Sequence, residues 1–288
     1  MIIRLGKFEA VVALTLVVTL SFAFALIYER KAVTASTNER TFELPIIMYH
    51  NITQNKSKAG KYTVTEEEFV ADLKHIKENG YTTITVQELI DYTNGHSTPP
   101  EKPIMITFDD GFESFYQLAY PLLKEYSIKA VVSVIGSVTE RYSEINDHNI
   151  NYSNLTWSEI NEMHKSKLVE FQNHSYNMHK SEKGQRKGIS KTASESDNEY
   201  NNLLTEDLMK TQKLFKENCG FEPTAVAYPY GAKSKITLNI IKNCGFICTL
   251  GCEEKVNIIT VGKDDCLYDL GRYNRASGIK TDNFFGKI

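Results

Sequence analysis

The sequence predicts an α/β fold, a parallel sheet or barrel of roughly seven βα units, and three observations carry that expectation. From residue 44 onward short apolar runs alternate with amphipathic stretches of helical period. Runs such as "PIMITF" from Pro103 and "AVVSVI" from Ala130 are apolar without alternation, as strands covered on both faces are. A chain of 288 residues, 41% hydrophobic and 24% charged, also has the material for one good-sized core. In folds of this kind the chemistry sits where strands end at their C-termini.

The elements follow in order. Leu44 to Tyr49 is expected as the first strand, after which Thr65 caps a helix, Glu68 completes a capping box and Gly80 stops it. Further strands are expected at Tyr81 to Thr85, Pro103 to Phe108, Lys129 to Ile135, Leu168 to Gln172, Thr224 to Tyr228 and Gly245 to Leu250. The polar, aperiodic stretch from Ser181 to Asn202 reads as a mobile surface loop with no separate function.

Two units are expected, residues 1–40 and 41–288. Arg4 and Lys7 precede an uncharged run from Ala10 to Tyr28, which Glu29-Arg30-Lys31 closes. That length is near the roughly 20 apolar residues that span a bilayer and exceeds the about 7 to 15 of a cleaved signal. We therefore expect a membrane anchor through residues 10–28, then a polar linker, with the larger unit outside the cytoplasm. Cleavage at Ala23-Phe24-Ala25 or Val33-Thr34-Ala35 would instead give a secreted form. The net charge of -3 argues against a nucleic-acid partner. All five cysteines lie after residue 218 and none forms a Cys-x-x-Cys pair, so buried structural thiols, with room for one disulfide, are expected rather than a metal site.

Three strand ends carry candidate chemistry. Asp109 and Asp110 end the "PIMITF" strand, and Gly111 permits a sharp turn into a helix near Glu113. A helix cap needs one acid; two side by side at a buried edge require a cation or a shared proton. His174 and His179 follow the strand "LVEF" at a spacing of five, about 140° apart on a helix, which suits a loop curling round a metal rather than a helical zinc motif. Tyr228-Pro229-Tyr230-Gly231 ends a third strand, with aromatics suited to stacking on sugar faces, although a plain Pro-Gly turn is the simpler account of it alone.

Taken in order, "TFDDG", "HSYNMH" and "YPYG" resemble the motifs of the NodB-homology polysaccharide deacetylases, carbohydrate esterase family four. The resemblance runs from residue 44 to about 275 and implies a distorted (β/α) barrel that removes acetyl groups from N-acetylhexosamine units of a polymer. It implies Asp110, His174 and His179 as metal ligands and Asp109 as the base. Two imidazoles and one carboxylate agree with that, because they leave a divalent ion with open positions for water. Zn2+ is the default, and Co2+, Ni2+ or Fe2+ would suit the same donors.

Two departures stand out. The commonest family pattern supplies the general acid from a Leu-x-His motif near the C-terminus, but no histidine follows His179 here. His50, ending the first strand in "IIMYHN", is the replacement, an arrangement similar to the circularly permuted branch of poly-N-acetylglucosamine and intercellular adhesin deacetylases. Ala227 stands where many members carry an arginine paired with the base; Arg272, or less well Arg275, is the candidate to supply that charge at the site. The sole tryptophan, Trp157, reads as packing.

The expected function is a metal-dependent N-deacetylase of an N-acetylated aminoglycan, poly-N-acetylglucosamine or peptidoglycan, in the cell wall or a biofilm. Tyr228, Pro229, Tyr230, Gly231 and Arg272 are the expected substrate-side residues. The alternatives are a non-catalytic carbohydrate-binding relative and, on the two-His-one-carboxylate set alone, a non-haem iron oxygenase, which the βα pattern does not suit.

Overall fold

The structure, a computed structural model, describes residues 40–181 and 186–288 together with Gly6 and Ser21. The chain divides into two units, Met1–Arg40 and Thr41–Ile288. The expected membrane segment at residues 10–28 lies outside the described residues apart from Ser21; among the described residues no helix is long and apolar enough to cross a membrane.

The larger unit contains strands β1 (Thr41–Leu44), β2 (Ile46–Tyr49), β3 (Asn51–Thr53), β4 (Thr63–Thr65), β5 (Thr82–Thr83) and β6 (Pro103–Phe108). They are followed by β7 (Ala130–Val134), β8 (Val169–Asn173), β9 (Ala225–Ala227), β10 (Cys248–Leu250), β11 (Asn257–Thr260) and β12 (Tyr273–Asn274). Eight of them form one sheet in the order β10-β9-β8-β7-β6-β2-β12, with β5 beside β6. Every pairing in it is parallel, so all these strands end at one rim. The path stays open between β10 and β12 except for one bridge, Leu250 to Leu270, where the Gly251 N–H donates to the Leu270 carbonyl at 2.8 Å. The result is a parallel half-barrel, less evenly closed than seven equal units would be.

The continuous apolar runs are explained by where alternate residues go. Met105, Val131, Ala225 and Leu250 join one buried cluster, while Ile104, Ile106, Val132 and Val134 join another packed under helices. The Thr65–Glu68 capping box is present, and equivalent boxes start helices at Thr85, Thr156 and Ser196. Trp157 packs edge-on against Phe215 at 5.1 Å between ring centres.

Three expectations need correction. Pro45 has no N–H to give a sheet, and the single first strand is split there into β1, which pairs antiparallel with β11, and β2. The stretch from Ser181 to Asn202 is not loop throughout: a 23-residue helix, Asp197–Cys219, begins inside it, capped by Ser196 and Glu199. That stretch also buries Ile189 completely, and Lys187 lines the main cleft. All five cysteines are free; only Cys248 is buried, and Cys252 is exposed.

Candidate active site

The β6 strand ends by donating the Asp109 N–H to the Tyr49 carbonyl of β2 at 3.0 Å, which fixes Asp109 beside His50 at the rim. The Asp109 carboxylate is buried and accepts two 2.8 Å bonds from the Nη1 and Nη2 atoms of Arg272. Arg272 is itself anchored, donating through Nε to the Gly251 carbonyl at 2.7 Å and through Nη1 to Thr107 Oγ1 at 3.2 Å. Burial pushes the Asp109 carboxyl up, but Arg272, with the His174 and His50 rings, outweighs it and the group is held below its usual range. Arg275 is spent elsewhere: it pairs with buried Asp72 at 2.7 Å and does not reach the site.

Asp110 turns the chain outward with φ of 72°, a left-handed conformation in which a non-glycine residue is strained. Gly111 follows at φ 71°, and a Cβ there would lie 2.8 Å from Val134 Cγ1. The turn is clamped from outside by Asn154, whose Nδ2 donates to the Asp110 carbonyl at 3.0 Å, and by the Leu155 N–H, which donates to the Gly111 carbonyl at 2.8 Å.

The histidines come from the loop after β8. His174 is buried, and its Nδ1 lies 2.9 Å from the Ala227 carbonyl, an acceptor that fixes Nδ1 as the protonated nitrogen and leaves the Nε2 lone pair facing Asp110. The Nε2 atoms of His174 and His179 stand 3.4 and 3.1 Å from Asp110 Oδ1. His179 Nδ1 is 3.1 Å from the Tyr230 hydroxyl. Between the two histidines, Asp207 accepts the N–H groups of Tyr176 and Asn177 at 2.7 and 2.8 Å and so pins the loop to the long helix.

These three donors fit a divalent cation. All their ligand atoms lie within 4.8 Å of one another, yet Asp110 Oδ1 is buried and forms no well-directed hydrogen bond despite its two close imidazoles. Atoms each about 2.0 to 2.2 Å from a shared tetrahedral ion stand roughly 3.3 to 3.6 Å apart, close to the spacings found. Burial would raise the Asp110 carboxyl, and the two imidazoles hold it well below the usual carboxylate range.

Around this centre opens a cleft of about 770 Å³ that contains His50, Asp109, Asp110, His174, His179 and Tyr230. The His50 Nδ1 atom is buried without a hydrogen-bond partner, and burial first of all lowers the pKa of its ring. Of the expected substrate-side residues, Tyr230 is 43% exposed and lines the cleft, whereas Tyr228 is 1% exposed in a hydrophobic cluster, Pro229 is buried and Arg272 is covered entirely. Arg272 therefore stands behind Asp109 rather than on the cleft wall. The residues that sequence reasoning passed over are Tyr62, whose half-exposed ring sits 4.8 Å from that of His50, and the anchors Asp207 and Asn154. Nothing local in the sequence marks Asp207 and Asn154, since their partners lie far along the chain.

A profile of the polysaccharide deacetylase family matches residues 96–248. The chain belongs to that family. It is 31% identical over 194 residues to a poly-β-1,6-N-acetyl-D-glucosamine N-deacetylase of Staphylococcus aureus (strain MRSA252), a match that covers 67% of this chain and 62% of the relative's length. Among solved structures, a de-N-acetylase from Aggregatibacter actinomycetemcomitans superposes with a TM-score of 0.71 at 25% identity, covering 86% of this chain and 100% of the other. IcaB from Ammonifex degensii gives a TM-score of 0.68 at 27% identity, covering 84% and 94%.

Proposed function

We propose that the chain is a metal-dependent hydrolase that removes N-acetyl groups from N-acetylglucosamine-type units of a cell-surface or cell-wall polysaccharide. The observation that carries this is the convergence, in one cleft, of the Asp110, His174 and His179 donors with an arginine-anchored Asp109 and His50. The Staphylococcus aureus relative is named for poly-β-1,6-N-acetyl-D-glucosamine, which makes that polymer the first substrate to try.

A divalent ion on Asp110, His174 and His179, Zn2+ by default, would acidify a water and polarise the acetamide carbonyl. Asp109 takes the proton of the attacking water, and Arg272 keeps that carboxylate ionised and oriented beforehand. His50 donates a proton to the amide nitrogen as the carbon–nitrogen bond breaks, so that acetate and a free amine leave. Burial favours the neutral ring at rest, while Asp109 and Asp110 favour its charged form, the balance a group that must gain and lose a proton needs. Tyr230 offers an exposed ring for sugar stacking while its hydroxyl steadies His179. Freed amines would make a neutral polymer cationic and change its adhesion. The uncharged run at residues 10–28 supports a membrane-held domain outside the cytoplasm, where such polymers lie.

A non-catalytic carbohydrate-binding role would follow from an unpaired base, but Arg272 occupies the place that Ala227 leaves empty. Acetate release from poly-β-1,6-N-acetylglucosamine and from peptidoglycan, each with and without chelator, tests the proposal. Binding of either polymer without acetate release would favour the non-catalytic role.

A further inference from the structure

A second cluster stands outside the cleft, where the chain enters the helix after the Asp110 turn. Glu113, His148 and Glu159 bring one ligand atom each to within 4.8 Å of the others. The Glu113 side chain is 1% exposed; its Oε1 accepts from Gln117 Nε2 at 2.7 Å, and its Oε2 is buried with no hydrogen-bond donor on it, the Glu159 carboxyl being close by. Glu159 commits Oε2 to the Thr156 cap and turns Oε1 to within 2.9 Å of His148 Nδ1, which is 3.6 Å from Glu113 Oε1. The outer ring nitrogen of His148 is 3.1 Å from Asn146 Oδ1, so both ring nitrogens face oxygen acceptors, and Nδ1 without its proton would turn its lone pair on the carboxylates.

The hollow beside this cluster also contains Glu162, which accepts from Tyr116, and no lysine or arginine lines it. Two buried carboxylates whose one basic neighbour is the His148 ring are costly, and burial first, then Glu159, pushes the Glu113 carboxyl up to about 7 against the opposing pull of Gln117 and His148.

We propose that Glu113, His148 and Glu159 form a second, non-catalytic site for a divalent first-row transition-metal ion. One imidazole and two carboxylates favour Zn2+ or a neighbouring ion over Ca2+ and Mg2+, which take oxygen ligands. Such an ion ties together three segments: the helix start after Gly111, the loop carrying His148, and the helix Trp157–Lys165. The same loop donates to the Asp110 and Gly111 carbonyls through Asn154 and Leu155, and the Ser153 carbonyl accepts the Glu113 N–H at 2.8 Å. Metal here thus stiffens the turn that presents Asp110, and the proposal stands whether or not the cleft deacetylates sugars.

The test is metal stoichiometry on the full chain, stripped with chelator, dialysed against Zn2+, freed of excess metal and counted by mass spectrometry. The parent should bind about two ions and the double variant Asp110→Asn/His174→Gln about one, which raises its melting temperature; adding His148→Gln should remove that ion and the shift. His148 is partly exposed and Gln keeps a polar group in its place, and His148→Gln alone, with its far-UV circular dichroism unchanged, should take the parent from about two ions to about one. A double variant that binds no Zn2+, or a His148→Gln variant that binds as many ions as the parent, overturns the proposal.

Discussion

Arg272 and Asp109, 163 residues apart in the chain, meet through two parallel 2.8 Å bonds with both side chains buried. A buried carboxylate at the rim of a barrel is tolerable because this fork neutralises it and matches its geometry. The position before "YPYG" that lacks an arginine and the arginine at the far end of the sheet are thus two halves of one fact.

Replacing Arg272 by Gln should uncouple the base. A carboxyl with a depressed folded pKa stabilises the fold above its unfolded value and loses that contribution as pH falls through the folded one. In the parent, any acid limb due to Asp109 therefore lies below the usual carboxylate range; in Arg272→Gln burial loses its main opponent and lifts it, and the acid limb of kcat/KM should move to higher pH. Activity near neutrality should fall about 10²- to 10³-fold and stability by roughly 3 kcal/mol. A pH–rate profile with an unmoved acid limb would sink the role given to this pair.

Gly111→Ala should displace Asp110 without touching any polar group. The new methyl would meet Val134 at 2.8 Å on a backbone already at φ 71°, a cost of about 1 to 3 kcal/mol. Thermal melting should show the loss, and Zn2+ affinity at the cleft should weaken with it; an unchanged melting temperature would mean the turn relaxes freely.

Asp207→Ala should loosen the loop between His174 and His179, because two N–H groups lose their acceptor. The expected result is roughly 10- to 100-fold weaker metal binding at the cleft, with KM for the polymer little changed. Competition against a chromophoric chelator measures it.

Tyr230→Phe separates the two tasks of that residue. The exposed ring remains for sugar, while the contact to His179 Nδ1 disappears, so metal affinity should drop and polymer affinity should persist. Loss of polymer affinity alone would show that the hydroxyl serves the substrate instead.

Much of this site was legible in the sequence because parallel strands covered on both faces read as unbroken apolar runs, and the first polar residues after them mark one rim. That logic places Asp109, Asp110, His174 and His50 together from sequence alone. It fails where burial is decided by tertiary contacts. Tyr228 and Tyr230 look equivalent in "YPYG", but a short 3-10 turn with Tyr230 at φ 58° sends one ring into the core and the other into the cleft. The helix Asp197–Cys219 hid behind a polar first turn, although Ser196 and Glu199 form a capping box that could have announced it. Asp207, Asn154 and the Glu113 cluster act across long sequence separations, where no local pattern exists to read.

The most direct measurement is acetate released from poly-β-1,6-N-acetylglucosamine by the parent and by Asp110→Asn, before chelation, after it, and after Zn2+ is returned. The parent should lose activity on chelation and regain it with Zn2+, and Asp110→Asn should stay inactive throughout. Acetate release that survives chelation in the parent, or that Asp110→Asn matches, would contradict a metal held by Asp110, His174 and His179 as the centre of this protein's chemistry.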